Sequence, residues 1–286
     1  MTGAFIMTNP VFVSTQWLAD NLDQPDVVVL DASWYLPAQQ RDAVAEYLAG
    51  HIPGAVRFDL DAVSDHTSSL PHMLPTPEEF AKAVGALGIT PQSRVVIYDG
   101  LGLFSSARVR WTFKIFGHAF AAVLTGGAPL WRKEGRAWSQ NPSTPKPQTY
   151  PVPSLKAGVA DLAQVKAWSA DKTVQLVDAR AADRFRGEAP EPRAGLKSGH
   201  IPNSLNLPFG GLLADGQLKP KAEIEAAFAA AGVDLTRPVA TTCGSGVTAA
   251  ILAIALEDSG HPVTALYDGS WSEWGGRDDV TVATGP

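Results

Sequence analysis

The chain has 286 residues, 45% of them hydrophobic and 18% charged, with a net charge of −6. That length favours two domains over one, and that composition suits a globular protein able to bury real cores. The acidity is shared evenly between the halves, so neither offers the basic face that nucleic acid or an anionic membrane would require. The single cysteine, Cys243, excludes an intramolecular disulfide, a CxxC redox pair and a cysteine-rich zinc site. No compartment that oxidises thiols is required, so cytoplasm is the expected location. The longest apolar run, residues 249–256, falls far short of the roughly 18 to 20 residues that span a bilayer. Residues 1–15 lack the basic start and long apolar core of a secretory leader.

In chain order, the pattern predicts a helix at 15–22, a buried strand at 27–30, and a helix at 77–87. A strand at 95–98, a helix at 105–116 and a strand at 122–124 follow. Thr76-Pro-Glu-Glu79 supplies a capping residue, a proline in the first turn and carboxylates near the positive helix end. Residues 142–153 then hold five prolines in twelve positions, which suits neither a helix nor a central strand. The expected division is a first domain over 1–138, a stiff linker over 139–154 and a second domain over 155–286. In the second domain, helices are expected at 161–170, 221–231 and 247–259, with strands at 174–177, 239–242 and 263–266. Strands alternating with helices imply an α/β fold, each domain a mostly parallel sheet flanked by helices.

The two halves repeat one another. Val27-Val-Val-Leu-Asp31-Ala-Ser33 resembles Val174-Gln-Leu-Val-Asp178-Ala-Arg180, and His51-Ile-Pro resembles His200-Ile-Pro. The run ending Asp99-Gly100 matches the run ending Cys243-Gly244, Gly117-His118 matches Gly260-His261, and the stretch before Trp131 matches the stretch before Trp274. Five colinear matches at offsets of 143 to 149 residues argue for duplication of a whole domain.

Sites in open α/β sheets form beyond the carboxyl ends of strands. Cys243 sits at such an end, in Thr241-Thr-Cys243-Gly244-Ser245-Gly246-Val247-Thr248, a loop that runs into a helix. The glycines let the backbone curl so that successive N–H groups face one centre, and the helix dipole adds positive potential there. A cysteine so placed should react as the thiolate, whereas a lone cysteine elsewhere is ordinarily inert core. A phosphatase would need arginine at position 249 and finds Ala249.

Cys243-Gly-Ser-Gly-Val-Thr248 resembles the active-site loop of the 3-mercaptopyruvate sulfurtransferases, in the two-domain rhodanese superfamily. His51-Ile-Pro-Gly-Ala55, Asp99-Gly100, Arg108, Gly117-His118, His200-Ile-Pro202 and Asp268-Gly-Ser-Trp271 through Glu273-Trp274 extend the resemblance over nearly the whole chain. It implies tandem rhodanese-like domains in which the second is catalytic and the first inactive. Asp99, which cannot carry sulfur, stands where the cysteine would be. Thiosulfate-preferring members typically place basic residues after the cysteine, and here Gly244 and Ser245 supply no charge.

The resemblance implies that Arg184 and Arg193 bind the substrate, with Gly244, Gly246, Val247 and Thr248 forming the cradle. Read from composition alone, these arginines would belong to an exposed charged loop, paired with Glu188 or Glu191. The resemblance also implies a proton relay of Ser245, His72 and Asp61, the last two from the first domain, which would put the site between the domains. The simpler reading is that Ser245 bonds a loop amide and His72 caps a turn. Asp31 and Asp178 are expected to hold turns, His51, His200, His118 and His261 to be structural, and Trp271 and Trp274 to be core or pocket wall. No His, Asp or Glu group has metal-ligand spacing, and no cofactor is implied.

The expected reaction moves sulfur from 3-mercaptopyruvate through a Cys243 persulfide to a thiol or to cyanide, releasing pyruvate. A thioredoxin-like protein or a small thiol would be the acceptor, and a monomer is the default. The alternatives are a thiosulfate sulfurtransferase and a non-enzymatic persulfide carrier.

Overall fold

A computed structural model describes residues 10–286. The chain forms two compact units. The first holds the chain up to Val63 together with Thr76–Lys156, and the second holds Ser64–Pro75 together with Ala157–Pro286. The segment Ser64–Pro75 therefore lies within the first copy in sequence and within the second unit in packing.

The first unit is built on β1 (Phe12–Val13), β2 (Val27–Asp31), β3 (Val56–Arg57), β4 (Arg94–Tyr98) and β5 (Ala121–Leu124). They form one five-stranded sheet in the order β1-β5-β4-β2-β3, every pair parallel. Its helices are α1 (Thr15–Asn21), α2 (Ala43–Ala49), α3 (Pro77–Ala86), α4 (Ser105–Ile115) and α5 (Gly127–Lys133). The Thr76 hydroxyl accepts the Glu79 N–H at 3.2 Å while the Glu79 carboxylate accepts the Thr76 N–H at 2.9 Å. This reciprocal cap fixes where α3 starts. A parallel sheet covered on both faces needs near-continuous apolar strands, which Val27-Val-Val-Leu30 and Val95-Val-Ile-Tyr98 supply. Leu18, Val29, Ile52, Val96, Tyr98 and Trp131 meet in its core.

The second unit repeats the plan with β6 (Val159–Ala160), β7 (Gln175–Asp178), β8 (Leu205–Asn206), β11 (Val239–Thr242) and β12 (Ala265–Tyr267). Their order, β6-β12-β11-β7-β8, is the first sheet's order again, and every pair is parallel. A small antiparallel hairpin of β9 (Leu213–Ala214) and β10 (Gln217–Leu218) is added. The helices are α6 (Leu162–Asp171), α7 (Ala182–Phe185), α8 (Lys221–Ala230), α9 (Ala249–Asp258) and α10 (Ser270–Trp274). No helix among the described residues is long and apolar enough to cross a membrane.

The strand expected at 263–266 lies two residues later, because its ladder begins at the pairing of Ala265 with Ala240. The helix expected from 247 starts at Ala249, since Val247 and Thr248 are spent on the loop that enters it. The repeated His-Ile-Pro motif ties chain ends in both units. His51 exchanges backbone bonds of 2.9 and 2.8 Å with Ser139, and His200 exchanges bonds of 2.8 and 3.0 Å with Ala283. Their rings reach the carbonyls of Tyr47 and Phe185, each at 2.8 Å. The proline-rich stretch lies against the first unit: Gln148 N–H donates to the Gly85 carbonyl at 2.8 Å, and Tyr150 is buried.

Candidate active site

Cys243 follows the last residue of β11 and is almost fully buried. Its loop is clamped from the far side by the turn between β12 and α10. Trp271 N–H donates to the Cys243 carbonyl at 2.9 Å, and Ser272 donates to the Gly244 carbonyl through both its N–H, at 2.9 Å, and its hydroxyl, at 2.7 Å. With the Cys243 and Gly244 carbonyls held on that side, the trans peptide N–H groups of Gly244 and Ser245 point away from it. The N–H groups of residues 244–248 have no protein acceptor among the described residues. Gly246 makes this curl possible with φ of +77°, and α9 starts immediately beyond. The result is a row of donors and a positive helix end immediately after Cys243 in the chain.

The Ser245 hydroxyl lies 3.0 Å from His72 Nδ1, with both residues buried. The simpler sequence reading, a serine bonded only within its loop, does not describe this serine. His72 adopts φ of +60°, the left-handed region that a non-glycine residue enters at a steric cost. The turn around it is anchored by Leu74 N–H on the Asp268 carboxylate at 2.9 Å and by Asp65 N–H on the Met73 carbonyl at 3.0 Å. All of these residues belong to the second unit. Asp61 belongs to the first unit, is exposed, and accepts the Trp34 indole N–H at 2.9 Å.

Arg184, in α7, reaches the same loop. A Cβ placed on Gly244 would lie 3.2 Å from Arg184 Nη2, so this position leaves little room for a side chain. The guanidinium is held by Glu191, which accepts from Nη2 at 2.5 Å and from Nε at 3.3 Å. Glu191 in turn accepts from Arg180 Nη1 at 2.8 Å. Arg180 is buried, grips the Asp178 carboxylate through Nε and Nη2, donates to the Gly199 carbonyl at 2.8 Å, and stacks on Trp271 at 4.3 Å. Burial opposes the charge on Arg180, but Asp178 and Glu191 outweigh it and hold the pKa above the usual arginine value. Arg184 therefore keeps Nη1 unpaired among the described residues, on a guanidinium whose other side is fixed by a buried network. Arg193 lies half-buried in the irregular stretch two residues past Glu191.

The first unit shows what the same loop does without a thiol. The buried Asp99 carboxylate accepts the N–H groups of Leu101 at 2.8 Å, Phe104 at 2.7 Å and Ser106 at 3.0 Å, and the Ser106 hydroxyl at 2.5 Å. In the first copy a side-chain carboxylate thus takes up the N–H groups of the turn.

The structure thus gathers Cys243, Gly244, Ser245, Gly246, Val247, Thr248, His72 and Arg184 around one loop. It adds residues that spacing did not single out as site residues: Asp178, Arg180 and Glu191 behind Arg184, Ser272 on the Gly244 carbonyl, and Ser270, whose hydroxyl accepts the Cys243 N–H at 3.4 Å. The pairing of Arg184 with Glu191 and of Arg186 with Glu188, the bland alternative for this stretch, is present. Burial of Glu191 converts the first of these pairs into a support for the site.

The model of the rhodanese-like domain matches this chain twice, at residues 14–134 and 161–277. The 3-mercaptopyruvate sulfurtransferase of Escherichia coli strain K12 is 41% identical over 277 residues, 96% of this chain and 99% of that protein. The thiosulfate sulfurtransferase of Bos taurus is 45% identical over 270 residues, 92% of this chain and 91% of that one. The crystal structure of SseA from Escherichia coli, a 3-mercaptopyruvate sulfotransferase of "rhodanese" fold, superposes with a TM-score of 0.82 at 39% identity, covering 92% of this chain and 99% of that one. Two domain matches, two sheets of identical strand order and one cysteine loop lead to the same place: the chain belongs to the rhodanese family, as a tandem of two rhodanese-like α/β domains.

Proposed function

We propose that this chain is a 3-mercaptopyruvate sulfurtransferase working through a persulfide on Cys243. The observation that carries the choice of donor is the Cys243 loop itself. Gly244 and Ser245 put no cation beside the thiol for a dianionic sulfonate, while Arg184 stands over Gly244 with free N–H groups suited to a carboxylate and a ketone.

In the first half-reaction the Cys243 thiolate attacks the sulfur of 3-mercaptopyruvate. The new S–S bond forms as the C–S bond breaks, and its electron pair passes to carbon as the pyruvate enolate. The substrate's thiol proton leaves sulfur and one proton reaches carbon, so thiolate and mercaptopyruvate give perthiolate and pyruvate with no net proton change. In this reading Ser245 and His72 carry that proton, and their 3.0 Å contact supports it: with Nε2 protonated, Nδ1 accepts from the serine hydroxyl. Asp61 enters this reading as the histidine's acidic partner on the resemblance alone. Arg184, with Arg193, holds the carboxylate and the ketone oxygen on which negative charge grows. The perthiolate rests against the N–H groups of residues 244–248.

In the second half-reaction an acceptor thiol, from a thioredoxin-like protein or a small molecule, or cyanide attacks the outer sulfur. The S–S bond breaks, the Cys243 thiolate returns, and the sulfur leaves on the acceptor. Two half-reactions through one covalent intermediate require ping-pong kinetics. The enzyme acts as a monomer in the cytoplasm, where a single free thiol is kept reduced.

The bovine relative makes thiosulfate the specific rival. Comparing kcat/KM for the two donors decides between them. A clear preference for 3-mercaptopyruvate supports the proposal, and a preference for thiosulfate replaces it.

A further inference from the structure

The first unit contains a cavity of about 750 Å³ at the carboxyl end of its sheet, within the range of small-molecule sites. The duplication explains why it is there. Ser33 N–H donates to Asp31 Oδ1 at 2.9 Å, as Arg180 N–H donates to Asp178 Oδ1 at 2.9 Å. Ala128 N–H donates to the Asp99 carbonyl at 3.1 Å, as Trp271 N–H donates to the Cys243 carbonyl at 2.9 Å. Ser33 and Ala128 thus stand where the second unit has Arg180 and Trp271. There the two large side chains stack on each other and fill the space. In the first unit two small side chains leave it open, and both line the cavity.

The walls and rim have a consistent chemistry. Glu46 is satisfied by Arg41 at 2.7 Å and by the Tyr35 hydroxyl at 2.6 Å. The Asp31 carboxylate is turned to the Ser33 N–H and bonded by Tyr98. What remains unpaired is positive: Arg132 and Lys133, at the end of α5, have no carboxylate partner among the described residues. Arg132 sits 5.4 Å over the Trp138 ring. The indole of Trp138 lies against Gly50 at the cavity wall, and its N–H has no acceptor among the described residues. Tyr35, Tyr47 and Trp138 line the interior, with Arg41 over one face of Tyr35 at 4.0 Å and His51 stacked on Tyr47 at 4.2 Å.

We propose that this cavity is a second binding site, separate from Cys243, for a small organic anion with an aromatic or apolar body. The anionic group meets Arg132, Lys133 and the Trp138 N–H, and the body lies between the rings of Tyr35, Tyr47 and Trp138. Carboxylate and phosphate anions share this chemistry, so both are probed.

The full-length protein, with ¹⁵N-labelled tryptophan, is titrated with benzoate, phenyl phosphate and neutral benzamide. The Trp138 indole signal, assigned by Trp138→Phe, is followed. The expected result is a saturable shift with at least one anion, and binding of benzamide about tenfold weaker or more, the worth of one charge-assisted contact. The double variant Arg132→Gln, Lys133→Gln alters only exposed side chains and weakens anion binding by about fivefold or more. Ala128→Trp, which restores the bulk of the second copy, abolishes it. No shift with either anion, equal binding of benzamide, or anion binding untouched by the double variant overturns the proposal.

Discussion

The hydroxyl of Ser245 lies 3.0 Å from Nδ1 of His72, which is held in a left-handed turn between Asp65 and Leu74. A strained backbone conformation persists only where its surroundings over-determine it, and such positions cluster at functional sites. This one brings an imidazole to the second residue after the candidate nucleophile.

If this pair moves the substrate's proton, His72→Gln and Ser245→Ala each slow sulfur loading by about 10²-fold, a modest share for acid–base catalysis. Single-turnover loading followed by pyruvate release measures it. The double variant should lose little more than either single variant, because the two act as one unit. Normal loading rates in both single variants remove the pair from the reaction.

Glu191 should set the position of Arg184. Glu191→Gln replaces the charged acceptor of Arg184 by a neutral one, and KM for 3-mercaptopyruvate should rise by about tenfold, the worth of one charge-assisted hydrogen bond. The same change also removes a negative charge near an anionic substrate, which acts in the opposite direction. Orientation is expected to win because Arg184 is otherwise free to swing into solvent, and a fall in KM would show that charge wins. Glu191→Ala leaves the buried Arg180 short of an acceptor, and it should destabilise the second unit by about 3–5 kcal/mol.

Asp99 should be a stability residue. Asp99→Ala leaves the N–H groups of Leu101, Phe104 and Ser106 without their common acceptor and should lower the melting temperature of the first unit. Sulfur loading should stay at one atom per chain, checked by mass. A variant as stable as the parent would mean that water replaces the carboxylate without loss.

Two buried histidines predict a dependence on pH. Burial pushes the pKa of His118 and of His200 below the usual histidine value. Neutral His118 is well served, with its ring nitrogens at 2.9 Å from the Ser93 carbonyl and 2.9 Å from the Tyr150 hydroxyl. The unfolded chain therefore binds more protons than the folded one just below the ordinary value of about 6.5. Stability should be complete above about pH 6.5 and fall as the pH drops toward the lowered values. Urea unfolding at about pH 7.5 and about pH 5.5 tests this, and His118→Gln should flatten the difference. Equal stability at both values would contradict it.

Much of this fold is written locally. The reciprocal cap of Thr76 and Glu79 marks the start of α3, and the apolar runs at β2 and β4 mark central strands of the first sheet. The helices α7 and α10, of four and five residues, are too short to show a helical period, so only the structure reveals them. Cys243 and its loop are legible because strand, glycines and helix are contiguous. The role of Glu191 is not legible, because the carboxylate matters through its burial against Arg180, eleven residues away. The membership of His72 in the second unit is hidden for the same reason. Its segment, Ser64–Pro75, is flanked on both sides by chain of the first unit, and its partner Ser245 is 173 residues distant.

Transfer by the proposed route leaves sulfur on Cys243 as a persulfide between the two half-reactions. The most direct measurement is the intact mass of the protein after brief exposure to 3-mercaptopyruvate and removal of excess donor. A gain of about 32 Da, one sulfur atom, is expected on the parent protein and not on Cys243→Ser, and it should disappear on addition of cyanide. A parent protein that releases pyruvate with no added mass, or a Cys243→Ser variant that gains the same mass, would contradict the account.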